Sequence, residues 1–180
     1  AALPGERKVA GALRPVKADV SQYHELDGLR LAIEIKPVNL AVGRALWNRF
    51  GDIRAFAVNL HLKFPFAVIG GVLVVPTYER TSADVKKPTA PLVQRVVNRL
   101  VRAGKRRNET DAAHLLEGIG VIVYDPDTGA LDVSTAGTKT GLRGEDFIKD
   151  LADAYDARFG EGTRPSDDDE DSEEDDEETS

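Results

Sequence analysis

Ten consecutive residues, Phe66-Ala67-Val68-Ile69-Gly70-Gly71-Val72-Leu73-Val74-Val75, carry no polar side chain. A strand that is apolar on both faces needs cover on both faces, which places it inside a sheet flanked by helices. The run is too short to cross a membrane and contains two glycines. Its surroundings supply the covers. From about Leu40 to Leu60, Val42, Leu46, Phe50, Ile53, Phe56 or Ala57, and Leu60 recur at three- and four-residue steps, the mark of a helix with one buried stripe. Arg44, Asn48, Asp52 and Asn59 fall on another side of that helix, and Gly51 weakens its middle enough to allow a kink. Further on, helical spacing returns at about Ala90–Ala103 and Glu109–Leu116, on either side of the basic stretch Lys105-Arg106-Arg107. Ile119 to Tyr124 reads as a strand. Asp125-Pro126-Asp127-Thr128-Gly129 reads as a turn, and Ala130 to Val133 as a short returning strand. A last helix is expected from Glu145 to about Phe159, with Phe147, Leu151, Tyr155 and Phe159 four residues apart. The fold class is α/β, with a central mixed sheet flanked by helices.

Between Arg14 and Val38 the pattern predicts two strands joined by a turn. The first is Val16-Lys17-Ala18-Asp19-Val20, and the turn contains Asp27-Gly28. In the second, Leu29, Leu31, Ile33 and Ile35 alternate with Arg30, Ala32, Glu34 and Lys36. A period of two sends the apolar set to one face and Glu34 with Lys36 to the other, until Pro37 removes a ladder donor. Residues 1–15 contain Gly and Pro and are basic, with no element assigned.

Charge is unevenly spread over the 180 residues. The formal net charge is −7, yet Asp167 to Glu178 holds 11 of the 31 acids and no base. The remaining 20 acids face 24 Lys and Arg, leaving the body at +4 (24 − 20). A basic body with an acidic end suits a nucleic-acid partner, because Lys and Arg neutralising phosphate supply most non-specific affinity. The acidic segment buries nothing and repels itself, so 161–180 is expected to be a disordered tail behind a single domain, 1–160. Two roles suit such a tail: a solubiliser, or a mimic of nucleic acid that competes for the basic body. The absence of cysteine excludes disulfides, thiolate zinc sites and cysteine nucleophiles, and three scattered histidines (His24, His61, His114) suggest no His-based metal site. With no N-terminal signal pattern the chain is expected to be cytoplasmic, away from the membrane. It begins at Ala1 and has no methionine, so a natural start upstream is expected.

Hydrolysing a phosphodiester calls for a divalent cation that offsets charge on the phosphate and activates a water. Magnesium needs only one or two carboxylates, with water and phosphate oxygens completing its shell. Two adjacent strands can supply this: Asp19 on one, Glu34 and Lys36 on the next, with the backbone carbonyl of Ile35 as a further oxygen. Glu-x-Lys alone is a weak signal, and Glu6-Arg7-Lys8 is a second match. The plainer reading of Glu34 and Lys36 is a solvent-facing ion pair. Asp27 rivals Asp19 but sits in a turn signal only seven residues before Glu34.

Val16-Lys17-Ala18-Asp19-Val20 followed by Ile33-Glu34-Ile35-Lys36 resembles the bipartite motif of the PD-(D/E)xK, restriction-endonuclease-like nucleases. Their core is an Asp-bearing strand, a Glu-x-Lys strand, a helix and a further buried strand, an order similar to that from Lys17 to Val75. The family's usual Pro before the Asp is Ala18 here. The resemblance implies that Asp19 and Glu34 bind Mg2+, with Mn2+ able to substitute, and that Lys36 assists the attacking water. A further acid from an N-terminal helix is common in such enzymes, and Glu6 is the one candidate. What the resemblance implies overall is a Mg2+-dependent DNA endonuclease of prokaryotic or phage kind, most simply a homodimeric restriction-type enzyme. The alternatives are a structure-specific or repair nuclease of the same fold, and an inert nucleic-acid-binding module. Arg44, Asn48 and Arg49 on the following helix, and Lys86, Lys87, Lys105, Arg106 and Arg107 in loop signals, are the candidate phosphate contacts. Trp47 beside the apolar stripe reads as core, and Tyr23 and Tyr78 have no assigned role.

Overall fold

The computed structural model describes residues 3–39, 41–80, 85–132 and 142–160. Six strands form one mixed sheet in the order β1-β2-β3-β4-β7-β8. Strands β1 (Leu3–Val9), β2 (Val16–His24) and β3 (Gly28–Pro37) make an antiparallel meander. Helix α1 (Val42–His61) then carries the chain across to β4 (Val68–Pro76), which lies parallel to β3. A small hairpin, β5 (Tyr78–Arg80) with β6 (Lys86–Pro88), and helix α2 (Ala90–Leu100) follow. Strand β7 (Gly118–Tyr124) is parallel to β4, the two-residue β8 (Leu131–Asp132) turns back against it, and α3 (Gly144–Phe159) comes last.

The α/β class and central mixed sheet agree with the sequence pattern, and β4 sits in the interior as its composition requires. Its two faces are covered by different elements. An alanine Cβ at Gly71 would fall inside van der Waals contact of Ile53 on α1, and one at Gly70 would lie 3.0 Å from the Phe147 ring on α3. A large core joins the sheet to α1 and α2 through Leu46, Ile53, Leu60, Leu73, Val97 and Leu100. A smaller one joins it to α3 through Val68, Val72, Phe147 and Leu151.

Several expectations are corrected. Residues 3–9 form an edge strand that the Gly- and Pro-containing composition concealed. The segment 109–116 forms turns rather than a helix, with Asp111 capping the amides of Arg107 and Asn108. Asn59 belongs to the packed side of α1, where it is buried and receives the Leu13 N–H at 2.7 Å while donating to the Arg14 carbonyl at 2.7 Å. Gly51 lies within an unbroken helix. The apolar set of β3 does not share one face: Leu29 joins the large core, whereas Leu31 and Ile33 pack beside the small one, with Ile35 beyond them on their face and 41% exposed. The cause is a register shift opposite Gln22 and Tyr23, which pair with Leu31 and Leu29 and leave Arg30 as an extra residue. Leu40, Val133 and the segment 161–180 lie outside the described residues.

Candidate active site

Strand β2 delivers Asp19, and β3 delivers Glu34 and Lys36. The β2–β3 ladder runs from His24↔Gly28 to Val20↔Ile33 and stops there, while β3 continues against β4 as far as Pro37. Asp19 therefore stands where the two strands part. The Ile35 N–H donates to Asp19 Oδ2 at 2.6 Å, so a side-chain carboxylate takes the place of a backbone acceptor. Both main-chain groups of a strand residue point to the same edge, so the Ile35 carbonyl faces this opening as well.

Glu34 and Lys36, two residues apart on one strand, form an ion pair. The pair is not solvent-facing in the ordinary sense. Glu34 is 7% exposed, and its register partner across the parallel ladder is Gly71, the residue under Ile53 of α1. Burial pushes the Glu34 carboxyl above its usual range; Lys36 opposes this, and the charges of Asp52 and Asp19 push it further up. Its Oε2 is buried with no hydrogen-bond donor among the described residues. A buried carboxylate with an unsatisfied oxygen and two further acids nearby is suited to a cation. Asp52, placed by the sequence pattern on a side of α1 away from its apolar stripe, is the acid that the pattern did not single out. Its one sequence signal is its place next to Ile53, the α1 residue that packs over Gly71. No group of three or more His, Cys, Asp or Glu side chains is arranged to hold a metal among the described residues. A magnesium ion held by two carboxylates and a carbonyl does not require one.

The rivals are placed elsewhere. Asp27 lies in the β2–β3 turn, where its carboxylate pairs with Arg30 and lies 3.4 Å from His24. Glu6 lies on the exposed face of edge strand β1 and pairs with Lys17 at 2.7 Å, not with the acids of β2 and β3.

The basic candidates divide sharply. Arg44 and Asn48 are exposed near the start of α1, the end that follows directly from β3. Arg49 is exposed but pairs with Asp52 at 3.0 Å. Lys86 and Lys87 belong to strand β6 rather than a loop; Lys86 pairs with Asp127 at 2.6 Å, and Lys87 is exposed. Lys105 and Arg107 are exposed after α2. Arg106 is a correction: it is 3% exposed and bound to Glu117 at 3.1 Å, so it is not available to phosphate. Glu117 also receives Arg158 at 2.7 Å and the Ile69 N–H at 2.8 Å, and it lies 3.2 Å from His61. These contacts hold the Glu117 carboxyl below its usual range despite burial that pushes the other way. His61 and Arg106 are thus structural, joining α1 and the turn after α2 to the start of β7. Trp47 is half-buried against the large core. Tyr78 packs under Lys86, and Tyr23 meets Phe64 edge-on at 6.4 Å.

No described helix is long and apolar enough to cross a membrane. No protein-family model matches the chain, and no curated protein and no solved structure matches it either.

Proposed function

We propose that the chain is a divalent-cation-dependent nuclease with a restriction-endonuclease-like core that hydrolyses phosphodiester bonds in DNA. The observation that carries this reading is the buried Oε2 of Glu34, without a donor among the described residues, near Asp19 at the point where β2 and β3 separate. Asp19 and Glu34 are the residues that would hold Mg2+, with the Ile35 carbonyl as a further oxygen. The cation would neutralise charge on the scissile phosphate and make a water more acidic. Lys36 is held beside Glu34, so its ammonium is positioned to orient that water and to stabilise charge on the phosphate oxygens. In the hydrolysis, the water oxygen bonds to phosphorus as the ester oxygen leaves and takes up a proton. Exposed Arg44 and Asn48, close to where β3 passes into α1, suit contact with the backbone flanking the cut. A restriction-type enzyme that cuts both strands would act as a homodimer, with one such site per strand.

A second reading has an observation of its own. Lys36 already neutralises Glu34, and no three-ligand group is present among the described residues, which suits an inert DNA-binding module of the same fold.

The test is purified full-length chain with supercoiled plasmid and Mg2+ or Mn2+. Lys36→Ala and Glu34→Ala are expected to bind DNA normally and to lose cleavage by about 10²- to 10⁴-fold. Binding without cutting by the unaltered chain, with both cations, would favour the inert module. Cutting that survives both substitutions would remove this site from the chemistry.

A further inference from the structure

Between Asp84 and Glu109 the chain carries eight basic residues and no acid: Lys86, Lys87, Arg95, Arg99, Arg102, Lys105, Arg106 and Arg107. The fold separates them. Lys86 is neutralised by Asp127 and Arg106 by Glu117. Helix α2 packs Val93, Val96, Val97 and Leu100 into the core, which turns Arg95 and Arg99 outward, and Arg102 continues that exposed face in the turn beyond the helix. None of these three arginines lies within ion-pair distance of an acid among the described residues. Arg99 does have a partner, the Trp47 ring of α1, with its guanidinium 4.6 Å from the ring centre. That contact orients the cation without cancelling its charge.

We propose that the exposed face formed by Arg95, Arg99 and Arg102 is a docking track for the sugar-phosphate backbone of duplex DNA. Three uncompensated guanidiniums in a row suit a ligand with repeating charge better than a single anion. Seven residues of helical rise extend about 10 Å, and one DNA strand presents a charge every ~3.4 Å of axis, so the row spans about three phosphates. Arg95 and Arg99, carried by a packed helix, also lose less freedom on binding than guanidiniums of a loop. The track lies beside the candidate active site's own helix: an alanine Cβ at Gly43 would sit 3.9 Å from Leu92 of α2, and Arg99 covers Trp47 one turn further along α1. The choice of DNA rests on the nuclease reading above, whereas the binding measurement does not depend on cleavage.

The experiment is fluorescence anisotropy of a labelled duplex DNA with the full chain in EDTA, between about 50 and 200 mM salt. The emission of Trp47, the only tryptophan, is followed in parallel. Replacing all three arginines (R95Q, R99Q and R102Q together) is expected to make the plot of log affinity against log salt shallower by about 2.7, three phosphates at about 0.9 each. The corresponding triple Lys variant is expected to restore the slope. Duplex is expected to shift Trp47 emission, and Arg99→Gln to abolish that shift. An unchanged slope and affinity in a triple Gln variant that melts like the unaltered chain would overturn the proposal. Duplex RNA binding tighter than DNA through the same residues would overturn the choice of ligand. If no duplex binds at low salt, yet Trp47 emission shifts with salt until Arg99→Gln abolishes the effect, the face belongs to the acidic segment Asp167–Glu178. That outcome too would overturn the proposal. Absence of cutting by the unaltered chain with this binding intact would refute the nuclease reading alone, and cutting with an unchanged slope in the triple Gln variant would refute the track alone.

Discussion

At Glu34 two demands meet on one side chain. It is buried beneath α1, and it shares its neighbourhood with Asp19 and Asp52, so the charged form costs free energy that Lys36 only partly returns. The sign for stability follows from the raised carboxyl. Below the unfolded-state value both states hold the proton and no penalty exists; as pH rises through the folded-state value the penalty appears in full. Glu34→Gln, which keeps the shape and removes the charge, is therefore expected to raise the melting temperature of cation-free protein at neutral pH and to change little near pH 4. A thermal melt at both pH values checks this, and equal shifts at the two would contradict it. Mg2+ is expected to stabilise the unaltered chain and not the Gln variant. The sequence pointed to the residues that matter here, Asp19, Glu34 and Lys36, because a two-residue spacing on a strand forces a shared face. The burial of Glu34 was not legible. Alternation set Glu34 and Lys36 opposite the apolar residues and left a solvent-facing ion pair open, since nothing local to β3 reveals that Gly71 opens a space beside Glu34 or that Arg30 is an inserted residue.

Elements are held in place by two devices that differ in visibility. Helix α1 approaches the sheet closely because β4 has no side chain at Gly71, where Ile53 enters. Gly71→Ala is expected to cost about 1–3 kcal/mol by overpacking and to reduce cleavage by displacing α1 from Glu34. Denaturant unfolding with a parallel cleavage assay would measure both. The apolar stripe of α1 and the two-sided apolarity of β4 made this packing readable in outline. The second device was not readable. Glu117 ties His61, Arg106 and Arg158 together in the interior, although these residues are far apart in the chain and each is of a type that usually faces water. Glu117→Gln is expected to destabilise the fold by about 3–5 kcal/mol, because two buried guanidiniums lose their counter-ion. Its lowered carboxyl contributes stability above the unfolded-state value that is lost as pH falls through the folded one, so the cost of Glu117→Gln shrinks in acid. A pH series of melts on both proteins checks the direction.

At the scale of the whole molecule, the described residues form a six-stranded mixed sheet clothed by α1 and α2 on one face and α3 on the other, with two cores of unequal size and the separate hairpin β5–β6. That plan follows from two-sided apolarity in β4, a further strand signal at β7 and helical spacing around them. Edge strand β1 and hairpin β5–β6 escaped notice because short exposed strands have no apolar alternation to read. The opening between β2 and β3, where acids gather, belongs to a body whose exposed charge is positive. The proposed chemistry requires that Asp19 and Glu34 share one divalent cation. Crystals of the full chain soaked in Mn2+ and measured for anomalous scattering test this most directly. The expected result is a peak between the two carboxylates, within about 2.0–2.3 Å of an oxygen from each, with Lys36 turned from Glu34 toward the solvent around the ion. A fully occupied Mn2+ elsewhere, with Glu34 still paired to Lys36 and Asp19 still bound to the Ile35 amide, would contradict it.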